Sequence, residues 1–87
     1  MSSDTEIVLP SGRFARIRQI LWEDFVLSYD QDINVMATKL AARVATIDGA
    51  SVTVEELMKF DLGEFMPINQ IIGTIATEAM RTRKGIA

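Results

Sequence analysis

The side chains in this chain best suited to acid–base or metal chemistry are its carboxylates. There is no His and no Cys. The commonest general base is therefore missing, as are the thiolate nucleophile and every zinc site built on imidazole or thiolate. The acids are Asp4, Glu6, Glu23, Asp24, Asp30, Asp32, Asp48, Glu55, Glu56, Asp61, Glu64 and Glu78. Carboxylate-only catalysis needs two of them paired across a substrate, and an oxygen-ligand metal site needs several converging. Here they are scattered, mostly where helix starts and turns favour acids. Glu23, Asp24, Asp30 and Asp32 follow no calcium-loop order and read as a solvated helix end. Gly63 and Gly73 stand alone, without the spacing of a phosphate-cradling loop. The expectation is a non-enzyme with no cofactor and no metal.

The 87 residues make one domain with a modest core. The apolar fraction of 48% is high for a soluble chain of that size, so part of it is expected at the surface, where partner-binding faces arise. The net charge is −3. Cations cluster at Arg13, Arg16 and Arg18 and again at Arg81, Arg83 and Lys84. A nucleic-acid-binding domain is usually more basic, so nucleic acid is an unfavoured partner. No apolar run approaches the ~20 residues of a membrane span, and the polar start lacks the features of a signal peptide. The chain is expected in the cytoplasm, without membrane contact.

The elements that would position these residues can be read in order. Glu6-Ile7-Val8-Leu9 and Arg13 to Arg18 flank Pro10-Ser11-Gly12, a three-residue hairpin loop. Pairing Leu9 with Arg13 sets Val8 opposite Phe14, Ile7 opposite Ala15 and Glu6 opposite Arg16. Ile7, Leu9, Ala15 and Ile17 then share a core face, and Val8, Phe14, Arg16 and Arg18 share the other. A helix over 21–29 places Trp22, Phe25, Val26 and Tyr29 on one side, with Trp22 assigned to the core. Asp32 caps a helix over 33–47 whose stripe is Ile33, Met36, Ala37, Leu40, Val44 and Ile47. Asp48-Gly49 ends it with a turn. Thr53 and Glu56 form a capping box for a helix over 54–60. Asp61 to Glu64 opens the last helix, with Phe65, Ile68, Ile72, Ile75 and Ala79 on its stripe. Pro67 fits a first turn if that helix starts near 65. The fold class is α+β, an N-terminal β-hairpin packed against a bundle of three to four helices. Residues 1–5 read as a flexible tail, 6–80 as the domain and 81–87 as a basic C-terminal tail.

Two groups are candidates for partner binding. Val8 and Phe14 lie opposite the core face, beside Arg16 and Arg18; either they form an exposed apolar site or another helix covers them. Met58, Phe60, Phe65 and Met66 gather adaptable side chains at a helix–helix junction, which suits either a variable partner surface or an ordinary core corner.

The order Glu6-Ile7-Val8-Leu9-Pro10-Ser11-Gly12-Arg13, Trp22-Glu23-Asp24, Ile47-Asp48-Gly49, Val54-Glu55-Glu56-Leu57 and Phe60-Asp61-Leu62-Gly63-Glu64-Phe65 resembles the small tail assembly chaperones of long-tailed bacteriophages, the Mu-like and P2-like tail proteins. The resemblance spans roughly residues 6–78. It implies a non-catalytic protein that holds the tape-measure protein in the host cytoplasm, helps recruit tail-tube subunits and is absent from the finished virion. Self-association is a further possibility. It implies no individual contact residues, and the Arg81–Lys84 end departs from the pattern. The competing readings are a structural baseplate or tail component and a small nucleic-acid-binding regulator using Arg13, Arg16 and Arg18.

Overall fold

A computed structural model describes the backbone of residues 4–86 and the side chains of residues 4–79. The fold is α+β: a four-stranded antiparallel sheet in the order β1-β2-β3-β4, with four helices. The strands β1 (Thr5–Val8) and β2 (Phe14–Ile17) form the expected hairpin, in register Thr5↔Ile17, Glu6↔Arg16, Ile7↔Ala15 and Val8↔Phe14. Leu9 N–H donates to the Arg13 carbonyl at 2.8 Å and Gly12 N–H to the Leu9 carbonyl at 2.8 Å. Gly12, at φ 94°, takes the left-handed conformation that closes the loop. β1 starts one residue before the hairpin run read from the sequence; residues 1–3 of the expected tail lie outside the described residues.

Two helices interrupt the sheet: α1 (Trp22–Ser28) and α2 (Ile33–Val44). The Asp32 carboxylate caps α2, accepting from Asn34 N–H at 2.9 Å and Val35 N–H at 3.4 Å. The α2 stripe buries Met36, Leu40, Ala41 and Val44, but Ile33 lies exposed at the open end. This helix stops at Val44, three residues short of the expected end. Ala45–Ile47 is instead β3, paired to β2 through Ala15↔Ile47, Arg16↔Thr46 and Ile17↔Ala45. The physical reason is Asp48-Gly49. Both residues have positive φ, 51° and 83°, as a two-residue type I′ hairpin requires. The turn folds β4 (Ala50–Ser51) back onto β3. Ile47 keeps its place in the core, on a strand rather than on a helix.

The capping box of α3 (Val54–Met58) forms as expected: Glu56 N–H donates to the Thr53 hydroxyl at 3.1 Å and Thr53 N–H to the Glu56 carboxylate at 2.9 Å. α4 (Leu62–Ile86) starts at Leu62, so Pro67 lies inside the helix rather than in its first turn. The carbonyl that loses a donor to Pro67 belongs to exposed Gly63, near solvent. α4 runs past residue 80, so the backbone of the expected basic tail is helical through Ile86; the side chains of Arg81, Arg83 and Lys84 lie outside the described residues.

One core joins these layers. Leu9, Ala15 and Ile17 from the hairpin meet Leu40, Ala41 and Val44 of α2, Ala45 and Ile47 of β3, Val52, Leu57, and Ile68 and Ile72 of α4. The opposite face of the sheet carries Glu6, Val8, Phe14 and Arg16, all exposed.

Candidate partner-binding surface

α1 is amphipathic in the reverse sense. Its inward residues are Asp24 and Ser28, one turn apart and 1% and 0% exposed. Its apolar residues face out, and so does Tyr29 just past its end: Trp22 is 75% exposed, Tyr29 65%, Leu27 59%, Val26 50% and Phe25 39%. The expectation that Trp22 belongs to the core is therefore overturned. The Trp22 and Phe25 rings stack on each other, centroids 5.6 Å apart, rather than on the interior.

The cause lies in the partners of Asp24. Arg18 donates two hydrogen bonds of 2.8 Å, one to each carboxylate oxygen. Arg43 Nε donates a third at 3.0 Å and Leu21 N–H a fourth at 2.9 Å. A carboxylate offers about four lone-pair sites, so this buried group is fully satisfied. The Arg18 pair is bidentate, the strongest form of such contact. Arg18 guanidinium also donates to the carbonyls of Gln19 at 2.8 Å and Arg43 at 3.1 Å, tying the end of β2 to the end of α2. The Arg18 guanidinium above all, with the Leu21 amide and Arg43, holds the Asp24 carboxyl far below the usual carboxylate range despite its burial. Asp24 is thus no part of a solvated helix end. Turning α1 over to bury its rings would pull a satisfied carboxylate out of two guanidinium contacts and leave both cations without it.

The chain segment that carries α1 is acidic, and cations reach it only from neighbouring elements. Residues 21–33 contain Glu23, Asp24, Asp30 and Asp32 and no Lys or Arg. Lys39 reaches in from α2 to Asp30 at 3.1 Å, and Arg43 lies 3.7 Å from Glu23. Asp30 also accepts from Asp32 N–H, which together with Lys39 lowers its pKa.

The residues expected to bind partners fall into different environments. Val8 and Phe14 form an exposed cross-strand pair, 62% and 57% accessible, and no helix covers them. Arg16 beside them is held by Glu6. Arg18 is drawn away to Asp24 rather than sharing that face. Met58 is exposed at 70% and Met66 at 37%, whereas Phe60 and Phe65 pack against the core. The Arg13 guanidinium lies over the Phe60 ring, 4.6 Å from its centroid. It also donates to Glu64 at 3.0 Å, and Glu64 accepts from the Ser11 amide at 3.1 Å and from the Ser11 hydroxyl. The Ser11 hydroxyl, with Arg13 and the Ser11 amide, lowers the Glu64 pKa. This nearly buried carboxylate clamps the hairpin loop to α4. All three hairpin arginines are thus paired with carboxylates.

Sequence reading missed the outward face of α1, although a signal was present. Solvent-facing helix positions usually carry long charged residues, whereas the side opposite Trp22 and Val26 offers the short Asp24 and Ser28 beside Leu27. Among the described residues no three carboxylates converge on a common point, and no helix is long and apolar enough to cross a membrane. A shallow, open groove along α4, lined by Gln70, Gly73, Thr74, Thr77 and Glu78, holds a single carboxylate. Comparison with models of known families, with characterised proteins and with solved structures returns no match.

Proposed function

We propose that this protein is a non-catalytic tail assembly chaperone of a long-tailed bacteriophage. It holds the tape-measure protein in the host cytoplasm, assists the recruitment of tail-tube subunits and leaves before the virion is finished. The observation that carries a binding role is α1, which presents an aromatic stripe to solvent on a helix anchored by buried ions. A contiguous exposed apolar face on a small domain marks an interaction surface. The resemblance over residues 6–78 supplies the identity of the client. The test is co-expression with the tape-measure gene. The client is expected to become soluble and to co-purify with this chain. Unchanged solubility together with no co-purification would sink the proposal.

The exposed Val8–Phe14 pair, on a different layer from α1, favours one alternative. Apolar surface on two sides suits a subunit with permanent neighbours, such as a baseplate or tail component. Mass spectrometry of purified virions separates the two readings: stoichiometric presence of this chain supports the structural part, and absence supports the chaperone.

A further inference from the structure

We infer that the outward face of α1 docks a helix of a different protein, one whose apolar stripe is flanked by Lys or Arg. This rests on the reading of the face as a client-binding surface and adds the chemistry of what fits it. Trp22, Phe25, Val26 and Tyr29 stand at i, i+3, i+4 and i+7, the spacing of one half of a packed helix pair. The other half is missing. At about 200 Å² per ring, the exposed fractions of Trp22, Tyr29 and Phe25 leave roughly 350 Å² of aromatic surface. Val26, with Leu21 and Leu27 beside it, adds further exposed apolar area. It is the turn-to-turn spacing of the stripe, rather than its area, that suits a helix.

Charge selects among helices. The segment carrying the stripe supplies Glu23, Asp30 and Asp32 at its rim and no cation. Three cations from outside the segment, Arg18, Lys39 and Arg43, engage Asp24 and Asp30, so the four acids outnumber them by one and the exposed Glu23 and Asp32 carry the remaining negative charge. A second copy of this face would bring the same acids against these, which opposes self-pairing through α1. A helix with basic flanks meets opposite charge on its rim.

Trp22 is the only Trp in the chain and lies on the face, so its fluorescence reports occupancy directly. The probes are Trp-free, helix-forming peptides with Leu at i, i+3, i+4 and i+7. One has Lys on both flanks, and a second has Glu there instead. The Lys-flanked peptide is expected to blue-shift Trp22 emission and shield it from acrylamide, binding at least tenfold more tightly than the Glu-flanked one, with the advantage shrinking in high salt. Val26→Lys should weaken the Lys-flanked peptide at least tenfold, while Phe14→Ser on the sheet face leaves it unchanged. Tyr29→Ser serves in its place if Val26→Lys loses its circular dichroism signal. Equal or tighter binding of the Glu-flanked peptide would overturn the inference. So would peptide binding indifferent to both α1 substitutions, or a concentration-dependent dimer that buries Trp22. If the tape-measure protein co-purifies equally with wild type and Val26→Lys, the chaperone reading stands and the α1 assignment fails. If the Lys-flanked peptide binds α1 but no tape-measure protein co-purifies, the α1 assignment stands and the choice of client fails.

Discussion

Arg18, just past the end of β2, holds Asp24, in the first turn of α1, through two hydrogen bonds of 2.8 Å. This contact fixes which face of α1 looks inward. Its apolar residues are exposed because its polar residue has a better partner inside.

Asp24→Asn keeps the shape and removes the charge. The amide can accept at one atom only, and the Arg18 and Arg43 guanidinium groups lose their shared anion. Breaking a buried pair costs roughly 3–5 kcal/mol. Both guanidinium groups are more than a third exposed, so solvent relieves part of that cost, and a loss of about 2–3 kcal/mol is expected. Urea denaturation of the two proteins measures it. A change below 0.5 kcal/mol, on the order of an ordinary surface substitution, would mean that the contact does not anchor the helix.

The dependence on pH follows from the same groups. The pKa values of Asp24, Asp30 and Glu64 all lie below their ordinary values in the folded chain. The unfolded state therefore takes up protons first as the pH falls. Stability is fully present above about pH 5, declines as the pH drops through the unfolded carboxylate values near 4, and goes on declining until the folded values are passed. With no His in the chain, melting temperature is expected to be flat from about pH 6 to 8. In Asp24→Asn the acid-side slope should be shallower, which melting curves taken below about pH 5 would show.

Ser28 presents the opposite case. Its hydroxyl is buried and has no hydrogen-bond partner. Ser28→Ala removes an unsatisfied polar group and raises helix propensity, so a gain of about 0.5–1 kcal/mol is expected. A loss in thermal denaturation would reveal a role for the hydroxyl.

Glycine substitutions separate the Asp48-Gly49 turn from the helix. Gly49, at φ 83°, sits where L side chains are strained, so Gly49→Ala should cost about 1 kcal/mol. Gly73 lies within α4, and a methyl group there would meet nothing within 4 Å, so Gly73→Ala should add about 1 kcal/mol. Opposite signs in paired denaturation curves are the expected result.

The parts of the fold that sequence reading placed correctly rest on local rules. The register of β1 with β2 follows from a three-residue loop and a two-residue alternation. The Thr53–Glu56 box lies within four residues of chain. The errors arose where distant residues decide. The α1 stripe has the spacing of a core helix, and only Arg18 and Arg43, on either side of it in sequence, reverse its sense. Glu64 reads locally as part of a helix start, and its partners, Ser11 and Arg13, come from the first hairpin. The end of α2 was misplaced although Asp48-Gly49 carried the hairpin signal, because Val44 and Ile47 suit a helical stripe and a buried strand equally well.

The strands lie in the sheet in the order in which they occur in the chain. Each end of the sheet is a tight hairpin that can close within microseconds, whereas the central joint, β2 against β3, must wait for the whole stretch from Arg18 to Val44 to loop back on itself. Arg18 stands at one end of that stretch and Arg43 at the other, and Asp24 binds both. The ion that turns α1 over is thus also the knot that ties the longest loop in the sheet, and losing it frees both ends of that loop at once.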